Sequence, residues 1–439
     1  MSLKPVNVGL LGLGTVGTGT LKVLARNADE IARRAGRGIR VTHASARDLA
    51  KPRAHDLQGI HLCADPFEVV REPSVKVVAE LIGGTGKARE LVLEAIAHEK
   101  HVVTANKALL ALHGAEIFEA AQRKGVVVAF EAAVAGGIPV IKAIREGLAG
   151  NRIEWLAGII NGTCNYILSQ MQEAGRDFAD VLKEAQALGY AEADPGFDID
   201  GVDAAHKLTI LASIAFGIPL DFGKLSVDGI RGVSARDIAY ARELGYRIKH
   251  LGIARRRPEG VELRVQAALI SQREMLAGVN GVMNAVMVKG DAAGPTAYYG
   301  AGAGAEATAS AVVADLVDVV RTLTTDPHNR VPHLAFQPDA INPLPVLAPV
   351  DYRSAYYLCL QVVDKPGVLA RIAQVLAEHD ISIEAIRQQE PKAGATAVDV
   401  VILTGPVREG CMLDAQRALE ALDSVRDGIT RLRVEHLEQ

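Results

Sequence analysis

A chain of 439 residues has room for two or three domains, each with its own core. Hydrophobic residues at 49% and charged residues at 23% are ordinary for a soluble protein, and a net charge of -4 mixed along the chain makes neither nucleic acid nor an anionic membrane an obvious partner. No apolar run approaches the length of a bilayer-spanning helix, and the chain reaches a strand-like run by Val6 without a basic leader, a long apolar region or a cleavage site. Cys63, Cys164, Cys359 and Cys411 are far apart and form no CxxC pair, so they read as reduced thiols in a cytoplasmic protein. The triplet Arg255–Arg257 is too short to make a basic patch and reads as a solvated turn.

Residues 6–11 (VNVGLL) form the continuous apolar run of a strand buried on both faces. GLGTVG follows, then a helical pattern that Gly36 and Gly38 stop. Strand-like runs recur at 39–46, 75–83, 101–105 and 125–130 with helices between them. Such alternation predicts a parallel, Rossmann-type doubly wound sheet over residues 1–130. From 131 the composition changes. Residues 131–148 read as a loop and helix, 153–160 as a strand, 161–174 as a turn and helix, and 262–270 and 284–291 as strands of a second sheet. Residues 131–325 therefore form one α/β substrate domain, whose last helix, 308–323, can pack back on the first domain. Six of the 18 prolines lie between Pro327 and Pro349, a composition that forbids a regular helix or a central strand. Residues 326–350 are a linker. Residues 351–439 follow the order βαββαβ of the ferredoxin-like plan.

Gly12-x-Gly14-x-x-Gly17, between a strand and a helix, fits a dinucleotide pyrophosphate. The first glycine allows the turn, the second admits the pyrophosphate, the third permits close helix packing, and the helix N-terminus faces the phosphates. Leu13, Thr15 and Val16 complete this loop. Arg47, just past the second strand, favours a 2′-phosphate and hence NADP, while Asp48 keeps NAD open. Asn106-Lys107 follows strand HVVTA. At the carboxyl end of such a strand Lys107 can reach a nicotinamide or a substrate.

The stretch GYAEADPGFDIDGVDAAHK (189–207) holds Glu192, Asp194, Asp198, Asp200, Asp203 and Lys207, and an apolar helix follows. Loop carboxylates leading into a helix suggest a pocket for a small zwitterion. Asp203 and Lys207 are four residues apart on one helix face, and Ile210 and Ile214 continue that stripe, so the pair faces an apolar surrounding. For Asp194 and Asp200 a solvated loop or a helix cap is the plainer reading.

GLGTVG, TANKAL, EAAVAGGIPVI, GIINGTCNYIL, GYAEADPGFDIDGVDAAHK and GAGAGAEATASAVVADL occur in that order. Together they resemble homoserine dehydrogenase over residues 5–325. The tail YLCLQVVDKPGVLARIAQVLAEHDISI resembles an ACT domain, an amino-acid-sensing module. The resemblance implies reduction of L-aspartate 4-semialdehyde to L-homoserine, NADP (or NAD) as cofactor, a monovalent cation such as sodium, and a homodimer or homotetramer built through the substrate domain. It implies Lys207 as proton donor and Asp203, Glu192 and Asp198 as substrate carboxylates. It further implies that Lys107 acts near both cofactor and substrate, that Gly189 and Gly302 lie near the cofactor, and that the backbone of Glu131, Val134, Gly136 and Ile138 holds the cation. It also implies an effector amino acid, threonine, at the ACT loop. In that loop Asp364, Gly367, Val368 and Leu369 sit between a strand and a helix, with Gly367 allowing close backbone approach and the helix N-terminus favouring a carboxylate. Ala307 stands where the family usually has proline. Two rival readings remain at this stage. One is a thioester-forming semialdehyde dehydrogenase using Cys164 as nucleophile. The other is a non-catalytic amino-acid sensor on a dehydrogenase fold, against which the intact Asp203–Lys207 pair argues.

Overall fold

The computed structural model describes residues 3–53, 56–326, 330–341, 344–388 and 397–437. Its first part comprises β1 (Val6–Leu11), α1 (Thr15–Arg26), α2 (Ala28–Ala35), β2 (Ile39–Ser45), β3 (His61–Cys63), α3 (Pro66–Arg71), β4 (Val77–Glu80), α4 (Lys87–Ala97), β5 (His101–Thr104), α5 (Lys107–Lys124) and β6 (Val128–Ala129). The strands form one 6-stranded parallel sheet in the order β3-β2-β1-β4-β5-β6. The strand order reverses beside β1, which opens a crevice at the carboxyl ends of β1 and β4. One helix was expected up to Gly36, but two are present. Asn27 leaves helical geometry (φ -110°, ψ 24°), closing α1 through its N–H to Val23 and starting α2.

The middle of the chain runs through α6 (Val140–Lys142), β7 (Ile153–Ile159), α7 (Gly162–Ala174), α8 (Phe178–Ala187), α9 (Gly196–Ile199), α10 (Val202–Phe216), β8 (Ser226–Val227), α11 (Ala235–Glu243), β9 (Tyr246–Arg257), β10 (Gly260–Ser271), β11 (Met283–Gly290), β12 (Gly294–Ala301) and α12 (Ala305–Thr322). The tail holds β13 (Arg353–Val363), α13 (Val368–Glu378), β14 (Ile383–Gln388), β15 (Ala397–Thr404), β16 (Val407–Arg408), α14 (Glu409–Glu420) and β17 (Val425–Glu435).

Packing divides the chain into two units. The first is Met1–Leu156, Asp203–Leu225 and Met283–Leu344; the second is Ala157–Val202, Ser226–Val282 and Pro345–Gln439. In the first unit α12 lies on the nucleotide-binding part, where Val312, Leu316 and Val320 share a core with Leu21, Leu24 and Ile31. Gly19 makes that approach possible, since a Cβ there would stand 2.4 Å from the Ala305 carbonyl oxygen.

In the second unit the strand order is β9-β10-β17-β13-β15-β14. Within the tail, the order β17-β13-β15-β14 is that of a ferredoxin-like sheet. One face carries Tyr356, Leu358 and Leu360 against α13 and α14 residues such as Ile372, Leu376 and Leu419. The other face carries Tyr357, Cys359 and Val401 into a core with Cys164, Met171 and Tyr240. β17 also pairs parallel with β10 (Ala268↔Arg433, Ile270↔Glu435). The tail is thus built into the unit rather than hung from it, and the linker shares in this: Val261 and Leu347 N–H bond to Pro345 and Val261 carbonyls. The reading of Arg255–Arg257 as a solvated turn is corrected. These arginines end β9, an antiparallel partner of β10, and Arg257 Nε bonds Glu262 at 3.0 Å.

A buried imidazole, His101, and a half-buried one, His333, hold neighbouring amides beside β6. His101 Nδ1 accepts from the Val127 N–H (3.0 Å), and His333 Nε2 accepts from the Val128 N–H (3.1 Å). Burial pushes both pKa values from 6.5 down to about 4, with nearby arginine charges adding to the shift. A depressed histidine contributes stability that is present above pH 6.5 and is lost as the pH falls towards 4. At about 1.4 kcal/mol per unit, each imidazole contributes up to roughly 3 kcal/mol. Stability measured by denaturant is therefore expected to fall steeply between pH 6.5 and 4, and His333→Asn to flatten that fall. A stability unchanged between pH 7 and 5 would contradict this.

Candidate active site

The glycine loop between β1 and α1 has the geometry its chemistry needs. Gly12 lies in the left-handed region (φ 96°), and a Cβ there would meet Ile82 at 2.9 Å. A Cβ on Gly17 would stand 2.1 Å from the Gly12 oxygen, so only glycine lets the helix sit so close. Around Gly14, by contrast, no described atom lies within 4 Å of a Cβ position, which leaves the backbone open to a pyrophosphate. Leu13 is buried, while Thr15 and Val16 begin α1. Past β2, Asp48 turns inward on its own loop, accepting from the Ala50 and Lys51 N–H groups at 2.9 and 3.1 Å, and Arg47 is exposed.

A second feature grows from β4 and β5. Glu80, wholly buried, accepts from the Ile82 and Gly83 N–H groups (2.9 and 3.0 Å) and from the Thr104 hydroxyl (2.6 Å). Thr104 accepts from the Asn106 N–H, and Asn106 both donates to the Gly84 carbonyl (2.7 Å) and caps α5 at the Leu109 N–H. This chain of bonds fixes Lys107 at the first position of α5. Sequence reasoning passed over Glu80 and Thr104; the available signal was a carboxylate closing an otherwise apolar strand.

Lys107 Nζ lies 3.1 Å from Asp203 Oδ1, and Lys207 Nζ lies 2.6 Å from Asp203 Oδ2. Asp203 and Lys207 are buried on α10, and the Lys107 side chain is 34% exposed. One carboxylate thus holds two ammonium groups side by side. Such a cluster stabilises negative charge on an oxygen, and an ammonium in it can yield a proton. His206, beside it in sequence, packs at a tilt against Phe222, ring centroids 4.6 Å apart, and burial lowers its pKa.

Glu192, Asp198 and Gly189 belong to the second unit. Asp198, on α9, accepts from Asn161 Nδ2 (2.7 Å) and lies 3.3 Å from the Thr163 hydroxyl, two partners that spacing alone did not reveal. Glu192 is exposed after α8, and Gly189 adopts φ 76°. Asp194 accepts from the Gly196 N–H and Asp200 pairs with Arg231, local roles in both cases. Cys164 is fully buried, its thiol donating to the Asp198 carbonyl at 3.3 Å.

The loop from Glu131 to Ile138 contains Ala135 and Gly136 at φ 56° and 52°, and a Cβ on Gly136 would meet the Gly302 oxygen at 2.5 Å. Both Glu131 carboxylate oxygens accept backbone N–H groups, from Ile141 and Lys142. Burial raises the neighbouring Asp315 to about 7. Gly137 faces Ala307 closely, 3.1 Å from a Cβ to the alanine Cβ, so a small residue fits at the position where proline was expected.

Comparison with known proteins decides the family. Residues 12–131 match the homoserine dehydrogenase NAD binding domain, residues 139–317 match homoserine dehydrogenase, and residues 357–421 match the ACT domain. A homoserine dehydrogenase of Pseudomonas aeruginosa is 62% identical over 435 residues, covering 99% of this chain and 100% of its own.

The chain belongs to the homoserine dehydrogenase family.

The crystal structure of a homoserine dehydrogenase from Thiobacillus denitrificans agrees across the length: TM-score 0.94, 59% identity, 99% of each chain covered. A hyperthermophilic archaeal homoserine dehydrogenase mutant in complex with NADPH covers 72% of this chain and 97% of its own, with TM-score 0.61 and 26% identity. The protein is an oxidoreductase with a nicotinamide-dinucleotide domain and a C-terminal ACT domain. Neither a thioester-forming enzyme centred on Cys164 nor a non-catalytic sensor fits that family. No described helix is long and apolar enough to cross a membrane.

Proposed function

We propose that the protein reduces L-aspartate 4-semialdehyde to L-homoserine with NADPH, that Lys207 delivers the proton and that Asp203 and Lys107 hold Lys207 in place. The observation that carries this reading is the buried carboxylate shared by two lysines at 2.6 and 3.1 Å. A bound nicotinamide supplies the hydride. As negative charge grows on the aldehyde oxygen, Lys207 offsets it and then gives up a proton. Glu192 and Asp198 take the substrate ammonium group. Lys107, Gly189 and Gly302 border the cofactor, whose pyrophosphate lies on the loop Gly12–Gly17. The backbone carbonyls of Glu131, Val134, Gly136 and Ile138 are neutral oxygen donors of the kind a hard cation such as sodium takes, on a loop whose positive φ values turn it sharply. The enzyme works in the cytoplasm, with its four thiols reduced, as a homodimer or homotetramer. Threonine inhibits it through the ACT domain, at the loop of Asp364, Gly367, Val368 and Leu369. In that loop Gly367, at φ 91°, is the N-cap of α13.

Following NADPH and NADH oxidation with aspartate semialdehyde, with and without threonine, tests this reading. Arg47 carries the cofactor preference. A charge-assisted contact contributes about 1.5–3 kcal/mol, so Arg47→Ala is expected to raise the KM for NADPH by roughly 10–100-fold and leave NADH nearly unchanged. Equal effects on both cofactors would remove Arg47 from the 2′-phosphate site.

A further inference from the structure

A polar cavity of about 300 Å³ lies in the second unit between β17 and the segment Asp228–Val233. Its size matches the small end of ligand pockets. The lining combines both signs of charge with short apolar patches. Arg431 and Arg433 come from β17, Asp228 and Gly232 from the facing segment, and Gln266 and Ala267 from β10. The floor is rigid. Arg433 bonds Glu409 through Nε and Nη2 (2.9 and 2.6 Å), and the neighbouring Arg264, 1% exposed, bonds Glu435 at 2.7 Å. Arg431 also bonds Glu409, and among the described residues only through Nη1, so the rest of its guanidinium keeps donors for another anion. The Asp228 side chain is 63% exposed, 3.7 Å from Arg433 Nη1.

The opposite wall touches the substrate loop. A Cβ on Gly229 would stand 2.2 Å from the Ile199 oxygen, and the Ile230 N–H donates to that same oxygen at 2.9 Å. Arg231 grips Asp200 with both Nε and Nη2. These contacts lock Asp228–Arg231 onto α9, the short helix that carries Asp198.

We propose that this cavity binds a small free amino acid, its carboxylate on Arg431 and its ammonium on Asp228, and that occupancy is passed to Asp198 through Gly229 and α9. The site is separate from the Asp364–Leu369 loop, and the inference rests on the reading of the tail as an amino-acid sensor. A ligand that draws Asp228 towards β17 must move the backbone at Gly229, and α9 follows because no gap separates them.

The test uses the full-length enzyme. Calorimetry and inhibition kinetics are run with L-threonine and then with a panel of other L-amino acids, on the wild type, Asp228→Asn, Gly232→Leu and Asp364→Ala. Asp228 is exposed, and no described atom lies within 4 Å of a Cβ at Gly232, so both substitutions leave the fold intact. Asp228→Asn and Gly232→Leu are expected to weaken the amino acid's apparent affinity at least about tenfold, with kcat and KM unchanged in its absence. Weakening by Asp364→Ala alone would overturn the cavity and leave the sensing loop standing. A wild type that neither binds nor responds to any amino acid at millimolar concentration would overturn both.

Discussion

Lys207→Ala is expected to lower kcat by about 10²–10⁴-fold, the usual range for loss of a proton donor, with little change in cofactor affinity. The fold should survive, because Asp203 keeps Lys107 as a partner at 3.1 Å and is not left as an uncompensated buried charge. That distinguishes this substitution from Asp203→Leu, which would remove the carboxylate that pairs with both ammonium groups. Single-turnover rates at saturating NADPH, together with the thermal midpoint, separate the two effects. Turnover within a few-fold of wild type in a folded Lys207→Ala enzyme would take the proton-donor role away from Lys207. Lys207→Arg should not restore the rate, since a guanidinium holds its proton too tightly to give it up near neutral pH.

The second large effect concerns the tail. A chain ending at Val350 is expected to fail to fold or to aggregate, although the proline-rich linker alone suggests a detachable module. Ending the chain there removes Tyr357, Cys359, Val401 and Val434 from a core they share with Cys164, Met171, Tyr240 and Leu269. It also takes Tyr357 from the buried Asp237, which its hydroxyl meets at 3.1 Å, and Glu435 from Arg264. Breaking one buried ion pair by removing a partner costs roughly 3–5 kcal/mol, a large part of the roughly 5–15 kcal/mol that holds a whole domain together. The Ala268–Ile270 stretch of β10 would lose its β17 partner as well, an invitation to strand addition. Size-exclusion chromatography and circular dichroism of the truncated chain check this. A soluble monodisperse product with cooperative unfolding would show that the catalytic part is independent after all.

Residues near one another in sequence were legible without the structure. The Gly12–Gly17 loop could be read because each glycine answers a steric demand within its own turn. Asp203 and Lys207 could be paired because α-helical geometry puts residues four apart on one face. The alternation of strands and helices predicted the parallel sheet, since each buried strand needs an apolar run and each crossover a helix. Where local signals competed, the reading failed. Asn27 split a continuous helical pattern. The arginines of β9 looked like a turn because three charges in a row hide a strand whose end is held by Glu262 on the neighbouring strand.

Tertiary structure alone decided which distant side chains share a site. Lys107 opens α5 and Asp203 sits in α10, and no spacing rule links them; the fold brings one ammonium within 3.1 Å of the carboxylate. Glu80 and Thr104, 24 residues apart, meet only because β4 and β5 are paired in register. The same holds for β17, whose parallel pairing with β10 turns a tail into part of the core. Backbone conformation follows from neighbours along the chain, whereas the partner of a buried charge depends on which surfaces the whole chain brings together and removes from water.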